Sequence, residues 1–98
     1  MTICILGAGA FGTALAIALS GTNDVRLWGR NAEKMAEIES TRESPKLPRA
    51  VLGAKIKVTS DAQIAIQGVD FILSVIPLQS TSAILDRVVM YFEGQPLI

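Results

Sequence analysis

Three glycines stand in the spacing G-x-G-x-x-G within Gly7-Ala8-Gly9-Ala10-Phe11-Gly12, and the chemistry that spacing serves is the cradling of phosphate. Gly7 permits a tight turn off a strand, Gly9 lets backbone approach a pyrophosphate with no Cβ in the way, and Gly12 lets a helix pack closely on a sheet. The phosphates then meet the free N–H groups and the positive dipole end of the helix that follows. The ligand class this implies is a dinucleotide. A second informative place is Trp28-Gly29-Arg30-Asn31, where a dinucleotide-binding chain commonly carries Asp or Glu for the adenosine ribose. No acid stands there, since Asp24 comes earlier and Glu33 later. Arg30 offers a charge-assisted contact to a 2′-phosphate and a face for adenine, which favours NADP(H) and leaves NAD(H) open. Its plainer reading is an ordinary surface arginine in a turn.

These residues need a strand before the glycines, a helix after them and a second strand ahead of Arg30. The sequence supplies all three. Thr2-Ile3-Cys4-Ile5-Leu6 reads as a buried strand, Phe11, Leu15, Ala18 and Leu19 recur at helical spacing up to Gly21, and Val25-Arg26-Leu27-Trp28 reads as the second strand. Asn31 caps a predicted helix with Met35 and Ile38 on its apolar side. From Arg42 to Gly53, with Pro45 and Pro48, the expectation is loop. Lys55-Ile56-Lys57-Val58-Thr59 alternates as a strand exposed on one face or at a sheet edge does, and Ser60 or Asp61 caps a short helix closed by Gly68. Val69 to Ile76 is nearly all apolar, as in a central parallel strand, and Pro77 stops it. Leu78, Leu85, Val88, Val89 and Phe92 give one face of a last helix, before Leu97-Ile98 starts another apolar stretch. Strands alternating with helices give right-handed crossovers and so an α/β fold, a Rossmann-type doubly wound parallel sheet reaching the start of a fifth strand.

Composition sets the outer bounds. With 98 residues, 50% of them apolar and 18% charged, the chain is one folded domain with one core and no room for a second. Residues 1–23 carry no charged side chain, yet the glycines that punctuate them and the lack of a positive start argue against a signal peptide or membrane span. Nine basic side chains balance nine acidic ones, which leaves no overall field for nucleic acid or membrane. Eight of the basic residues lie between positions 26 and 57 against four acids, so a small anion would find its partners in that stretch. Lys46, Arg49, Lys55 and Lys57 have no aromatic residues interleaved, which speaks against a nucleic-acid surface. Histidine is absent, excluding histidine-based catalysis within these residues. Cys4, the single cysteine, reads as a small buried thiol, Tyr91 as a packing residue, and Met35 and Met90 as core fillers. The default compartment is the cytoplasm.

The block Ile5 to Ala16, followed by Leu27-Trp28-Gly29-Arg30, resembles the amino end of the bacterial NAD(P)-dependent glycerol-3-phosphate dehydrogenases. Arg42-Glu43-Ser44-Pro45-Lys46-Leu47-Pro48 is similar to that family's Arg-Glu-Asn-Pro segment before its Leu-Pro, and Val75-Ile76-Pro77-Leu78-Gln79 to its Val-Pro-x-Gln. The resemblance implies cofactor contacts at Ala10, Phe11 and Arg30, with Pro77 beside the nicotinamide. The candidate cofactor-binding set is therefore Gly7, Gly9, Ala10, Phe11, Gly12, Trp28, Arg30 and Pro77. The chain departs from the pattern at Phe11, where Trp or Tyr is usual, at Ala10, often Ser, and at Lys46, which directly precedes Leu47-Pro48 in place of a Tyr.

What the resemblance implies for activity is hydride transfer between NAD(P)H and dihydroxyacetone phosphate or sn-glycerol 3-phosphate, feeding glycerophospholipid synthesis. The family's substrate-binding Lys follows its fifth strand and its catalytic Lys sits in a helical carboxyl-terminal domain. Residues 1–98 are accordingly expected to be the dinucleotide-binding part alone, without turnover, taking a phosphorylated three-carbon substrate only together with the missing domain. Other dehydrogenases with this amino-terminal fold, of the ketopantoate or 6-phosphogluconate type, and a non-catalytic NAD(H)-sensing domain are the alternatives. The strand edge beside residues 69–76 is expected to promote self-association.

Overall fold

Ile3, Cys4, Ile5 and Leu6 are all buried, on both faces of the first strand, β1 (Thr2–Leu6), because β1 lies inside a parallel sheet. The computed structural model describes residues 1–76 and 78–98, and the side chains of all of these except residues 78–82. After β1 come α1 (Ala10–Leu19), β2 (Asp24–Trp28), α2 (Ala32–Thr41), β3 (Glu43–Ser44), β4 (Leu47–Val51), β5 (Ile56–Thr59), α3 (Ala62–Ile66), β6 (Phe71–Ser74) and α4 (Leu78–Val88), with a single 3₁₀ turn at Val89–Tyr91. The main sheet runs β5-β2-β1-β6, all parallel. Leu6 lies opposite both Trp28 and Ser74, so the carboxyl ends of three strands finish level. Leu97 and Ile98 join β6 in parallel, with Ser74 N–H donating to the Ile98 carbonyl at 2.8 Å and Ile98 N–H to the Ile72 carbonyl at 2.9 Å. This is the expected start of a fifth strand, and the fold is the expected Rossmann-type α/β sheet.

Alternation along the strands divides the core in two. Ile3, Ile5, Val25, Leu27, Ile56 and Val58 meet Ala16 of α1 and Met35 and Ile38 of α2 on one face. Cys4, Leu6, Trp28 and Ile72 meet Ala65 and Ile66 of α3 and Ile84 and Val88 of α4 on the other. From β1 the chain builds outward through β2 to β5, then crosses to the far side of β1 to make β6. The order therefore reverses between β1 and β6, which is where a sheet of this kind opens a crevice at its carboxyl ends.

Local signals placed most elements. Asn31 accepts from Lys34 N–H at 3.0 Å as the cap of α2, and Asp61 accepts from Gln63 and Ile64 N–H groups as the cap of α3, which Gly68 closes at φ +78°. Ile56 and Val58 are buried and Lys57 is exposed on the edge strand β5, as the alternation required.

Three expectations are corrected. The segment from Arg42 to Gly53 is not plain loop: Glu43–Ser44 and Leu47–Val51 pair antiparallel with a register shift, turning at Pro45-Lys46. Pro48 is compatible with this because a two-stranded ribbon is all edge and needs no donor from every residue. On α1 the buried positions are Gly12, Thr13 and Ala16, while Phe11 and Ala18 are exposed and Leu15 and Leu19 only partly covered. The helix approaches the sheet through its smallest residues, which turns the larger apolar ones outward. Past Val88 the chain tightens into the 3₁₀ turn, so Val89 and Met90 leave the apolar face of α4 and stand 53% and 72% exposed. Met90 is thus no core filler, whereas Met35 is one, and Tyr91 packs against the second core as expected. Among the described residues no helix is long and apolar enough to cross a membrane.

Candidate dinucleotide-binding site

At the carboxyl edge of the sheet a cleft of about 350 Å³ is lined by the glycine turn, the end of β2 and the end of β6. It begins where β1 stops. Gly7 stands at φ +120°, a backbone conformation that a side chain strains, and its N–H donates to the Trp28 carbonyl at 2.9 Å. A Cβ there would also meet the Val75 backbone at 3.2 Å, and Val75 is itself held by a 2.9 Å bond from its N–H to the Leu6 carbonyl. Gly7 is thus pressed between the ends of β2 and β6.

Gly9 is the N-cap of α1, with no side-chain cap, and a Cβ built on it would meet nothing within 4 Å. Folding does not require glycine at this position, and the open space beside it is of the kind that close approach of a pyrophosphate to backbone needs. The first turn of α1, Ala10-Phe11-Gly12, lines the cleft beside it, offering N–H groups of the kind that hold pyrophosphate. Phe11 is 67% exposed there. Gly12 answers the opposite constraint, for a Cβ would lie 1.9 Å from the Gly7 carbonyl oxygen. These glycines and the open first turn fit a dinucleotide, whose bound nicotinamide would supply the hydride chemistry.

Trp28 is 2% exposed, its indole N–H donating to the Ser60 carbonyl at 3.0 Å, so it serves as wall and support of the cleft. Arg30 is exposed on the rim, makes no hydrogen bond or ion pair among the described residues, and is the one charged side chain lining the cleft among them. Other arginines of the basic stretch are committed elsewhere: Arg26 donates to the Ile64 and Gln67 carbonyls at the end of α3, and Arg42 to carbonyls of the segment leading into β5. Seven of the eight candidate residues therefore line one cleft; Pro77 lies outside the described residues.

Sequence reasoning passed over Gly29, Ala8, Val75, Ile76 and Ile84, which complete the lining. Gly29 is the most telling, since a Cβ on it would lie 2.6 Å from the Met35 sulfur and 3.1 Å from the Ala8 Cβ. Its position between Trp28 and Arg30 was a visible signal, and the end of the apolar run at Val75-Ile76 was another. Behind the cleft, burial pushes the Cys4 thiol up to about 12, against a weaker opposite pull from the Arg26 guanidinium, so this cysteine is packing and not a nucleophile.

Residues 2–98 match the family model for the amino-terminal part of NAD-dependent glycerol-3-phosphate dehydrogenase. The chain belongs to that family. Among its relatives is glycerol-3-phosphate dehydrogenase [NAD(P)+] of Roseobacter denitrificans, 41% identical over 99 aligned positions that cover 100% of this chain and 31% of the relative. The protein of the same name from Nitrosomonas europaea is 38% identical and covers 100% of this chain and 30% of its own length. The chain thus spans about a third of the length of these relatives. In three dimensions it is similar to glycerol-3-phosphate dehydrogenase from Coxiella burnetii, with a TM-score of 0.87 at 28% identity over 98% of this chain and 30% of that one. A putative 2-dehydropantoate 2-reductase from Enterococcus faecalis, 24% identical with a TM-score of 0.72 over 99% of this chain and 32% of its own, shares the fold alone. The family and these relatives take their names from dehydrogenases that use NAD or NAD(P).

Proposed function

We propose that residues 1–98 are the dinucleotide-binding domain of an enzyme that transfers hydride between NAD(P)H and dihydroxyacetone phosphate, giving sn-glycerol 3-phosphate for glycerophospholipid synthesis in the cytoplasm. The observation that carries this reading is the single cleft shared by the glycine turn, the uncapped end of α1 and Arg30. In it Gly7, Gly9 and Gly12 shape the turn, Ala10 and Phe11 flank the pyrophosphate, Trp28 backs the site and Pro77 stands by the nicotinamide. Arg30 reads the 2′-phosphate. Its support is the absence of an acid at the end of β2, where Gly29, Arg30 and Asn31 follow Trp28.

Hydride transfer to a ketone also needs a proton donor and a grip on the substrate phosphate. Among the described residues the cleft is lined by no carboxylate, lysine, tyrosine or cysteine. These residues therefore bind and orient the cofactor, and turnover depends on groups outside them. The isolated chain self-associates through the edge formed by Leu97 and Ile98, which are 44% and 72% exposed.

Calorimetric titration with NADPH and separately with NADH tests the assignment. Tight NADPH binding with clearly weaker NADH binding supports Arg30 as the 2′-phosphate reader, whereas equal binding removes that role and binding of neither removes the cofactor site from this chain alone. Steady oxidation of NADPH by the chain with dihydroxyacetone phosphate would overturn the division of labour, and a monomer at high concentration in light scattering would overturn self-association.

A further inference from the structure

The sheet ends on one side in β5, and an end strand presents backbone groups with no neighbouring strand to pair with. The carbonyls of Lys55 and Thr59 accept from Val25 and Gly29 N–H groups at 3.0 and 3.2 Å, so the alternate residues Ile56 and Val58 turn their amides and carbonyls away from β2. Such a row is the template on which another chain adds a strand.

Three of these four groups are taken. Val58 N–H donates to Oε2 of Glu39 at 2.6 Å, the Ile56 carbonyl accepts from Nη2 of Arg42, and Ile56 N–H donates to the Gly53 carbonyl at 3.1 Å. Glu39 and Arg42 are also tied to each other, Oε1 to Nη1, at 3.2 Å. Arg42 caps the end of α2 at φ +61°, a conformation disfavoured for a side-chain-bearing residue. The geometry there aims its guanidinium at the Leu52, Gly53 and Ile56 carbonyls together.

An exposed ion pair by itself contributes little. What distinguishes this one is that each partner also covers a group on the open edge of β5, Glu39 the Val58 amide and Arg42 the Ile56 carbonyl. We propose that Glu39 and Arg42 form an edge guard, which closes this side of the sheet to strand addition by a second copy of the chain. The guard is independent of what binds in the cleft, although β5 ends at Thr59 and leads into Ser60, whose carbonyls hold Gly29 and Trp28 respectively.

The test compares the whole chain with Glu39→Ala and Glu39→Gln by amide hydrogen exchange and sedimentation velocity. Glu39→Ala is expected to speed exchange at the Val58 amide about tenfold or more, the size of a lost charge-assisted hydrogen bond, while the Leu27 amide inside the sheet keeps its protection. It is also expected to associate about tenfold more strongly than the unchanged chain, for the same reason. Glu39→Gln keeps an acceptor oxygen and stays nearer the unchanged chain in both readouts. Association through the Leu97–Ile98 edge is common to all three proteins and cancels in the comparison. Unchanged exchange at Val58, or faster exchange with no added association, overturns the proposal. If Glu39→Ala loses protection at Leu27 as well, Arg42→Gly decides, because glycine suits φ +61° and preserves the end of α2. Added association of that variant supports the guard, and its absence overturns it.

Discussion

Gly12 faces the carbonyl oxygen of Gly7 so closely that a Cβ at residue 12 would lie 1.9 Å from it. Two residues five apart in the chain thus touch backbone to backbone, and this contact sets how near the first turn of α1 comes to the end of β1. The N–H groups of that turn are placed by it.

Gly12→Ala is expected to destabilise the fold by about 3 kcal/mol or more, because the clash is with backbone and cannot be relieved by rotating a side chain. Urea unfolding measures it. Cofactor binding should fail in the same variant.

Gly9→Ala should behave oppositely. With nothing within 4 Å of its Cβ, the variant loses at most about 1 kcal/mol, the difference between glycine and alanine at an N-cap. NADPH affinity, read by calorimetry, should nevertheless fall about tenfold or more, since the methyl occupies space the pyrophosphate requires. A destabilised Gly9→Ala, or one that binds normally, would show that the open space beside Gly9 is not the phosphate site.

Arg30→Ala is expected to weaken NADPH binding by about tenfold or more and NADH binding far less, as loss of one charge-assisted contact to a phosphate predicts. Stability should hold, because Arg30 has no hydrogen bond or ion pair among the described residues. Equal losses for the two cofactors would assign Arg30 to adenine stacking alone.

Cys4 gives a pH dependence with a definite sign. Its thiol is pushed up to about 12 in the folded chain, against 9.0 as the ordinary value. Above pH 9 the unfolded chain releases this proton and the folded chain keeps it, so the contribution is complete below pH 9 and is lost as pH rises towards 12. The slope is about 1.4 kcal/mol per pH unit. Urea unfolding between pH 8 and 11 should show a steeper loss for the unchanged chain than for Cys4→Ala, and thiol reagents should react slowly with the folded chain at pH 8.

Where a residue's task is local, the sequence was enough to find it. Asn31 and Asp61 cap helices because a short polar side chain satisfies N–H groups two or three residues on. Ile56-Lys57-Val58 announces a half-buried strand through alternation alone. The hairpin from Glu43 to Val51 was hidden because its prolines are also what a loop would carry. Phe11 and Ala18 share helical spacing with buried residues, but spacing does not tell which side of α1 meets the sheet.

By itself the sequence determined that a glycine turn joins a buried strand to a helix, that strands and helices alternate into a parallel sheet, and that no acid follows the second strand. Each of those is written within a few residues, where turn geometry, capping and hydrophobic period act. Only the tertiary structure decided that Met35 and Ala8 close over Gly29, that Val75 presses on Gly7, and that Glu39 covers the Val58 amide. Those contacts join segments 6 to 68 residues apart, and their existence depends on how helices seat against the sheet, which packing fixes and local propensity does not.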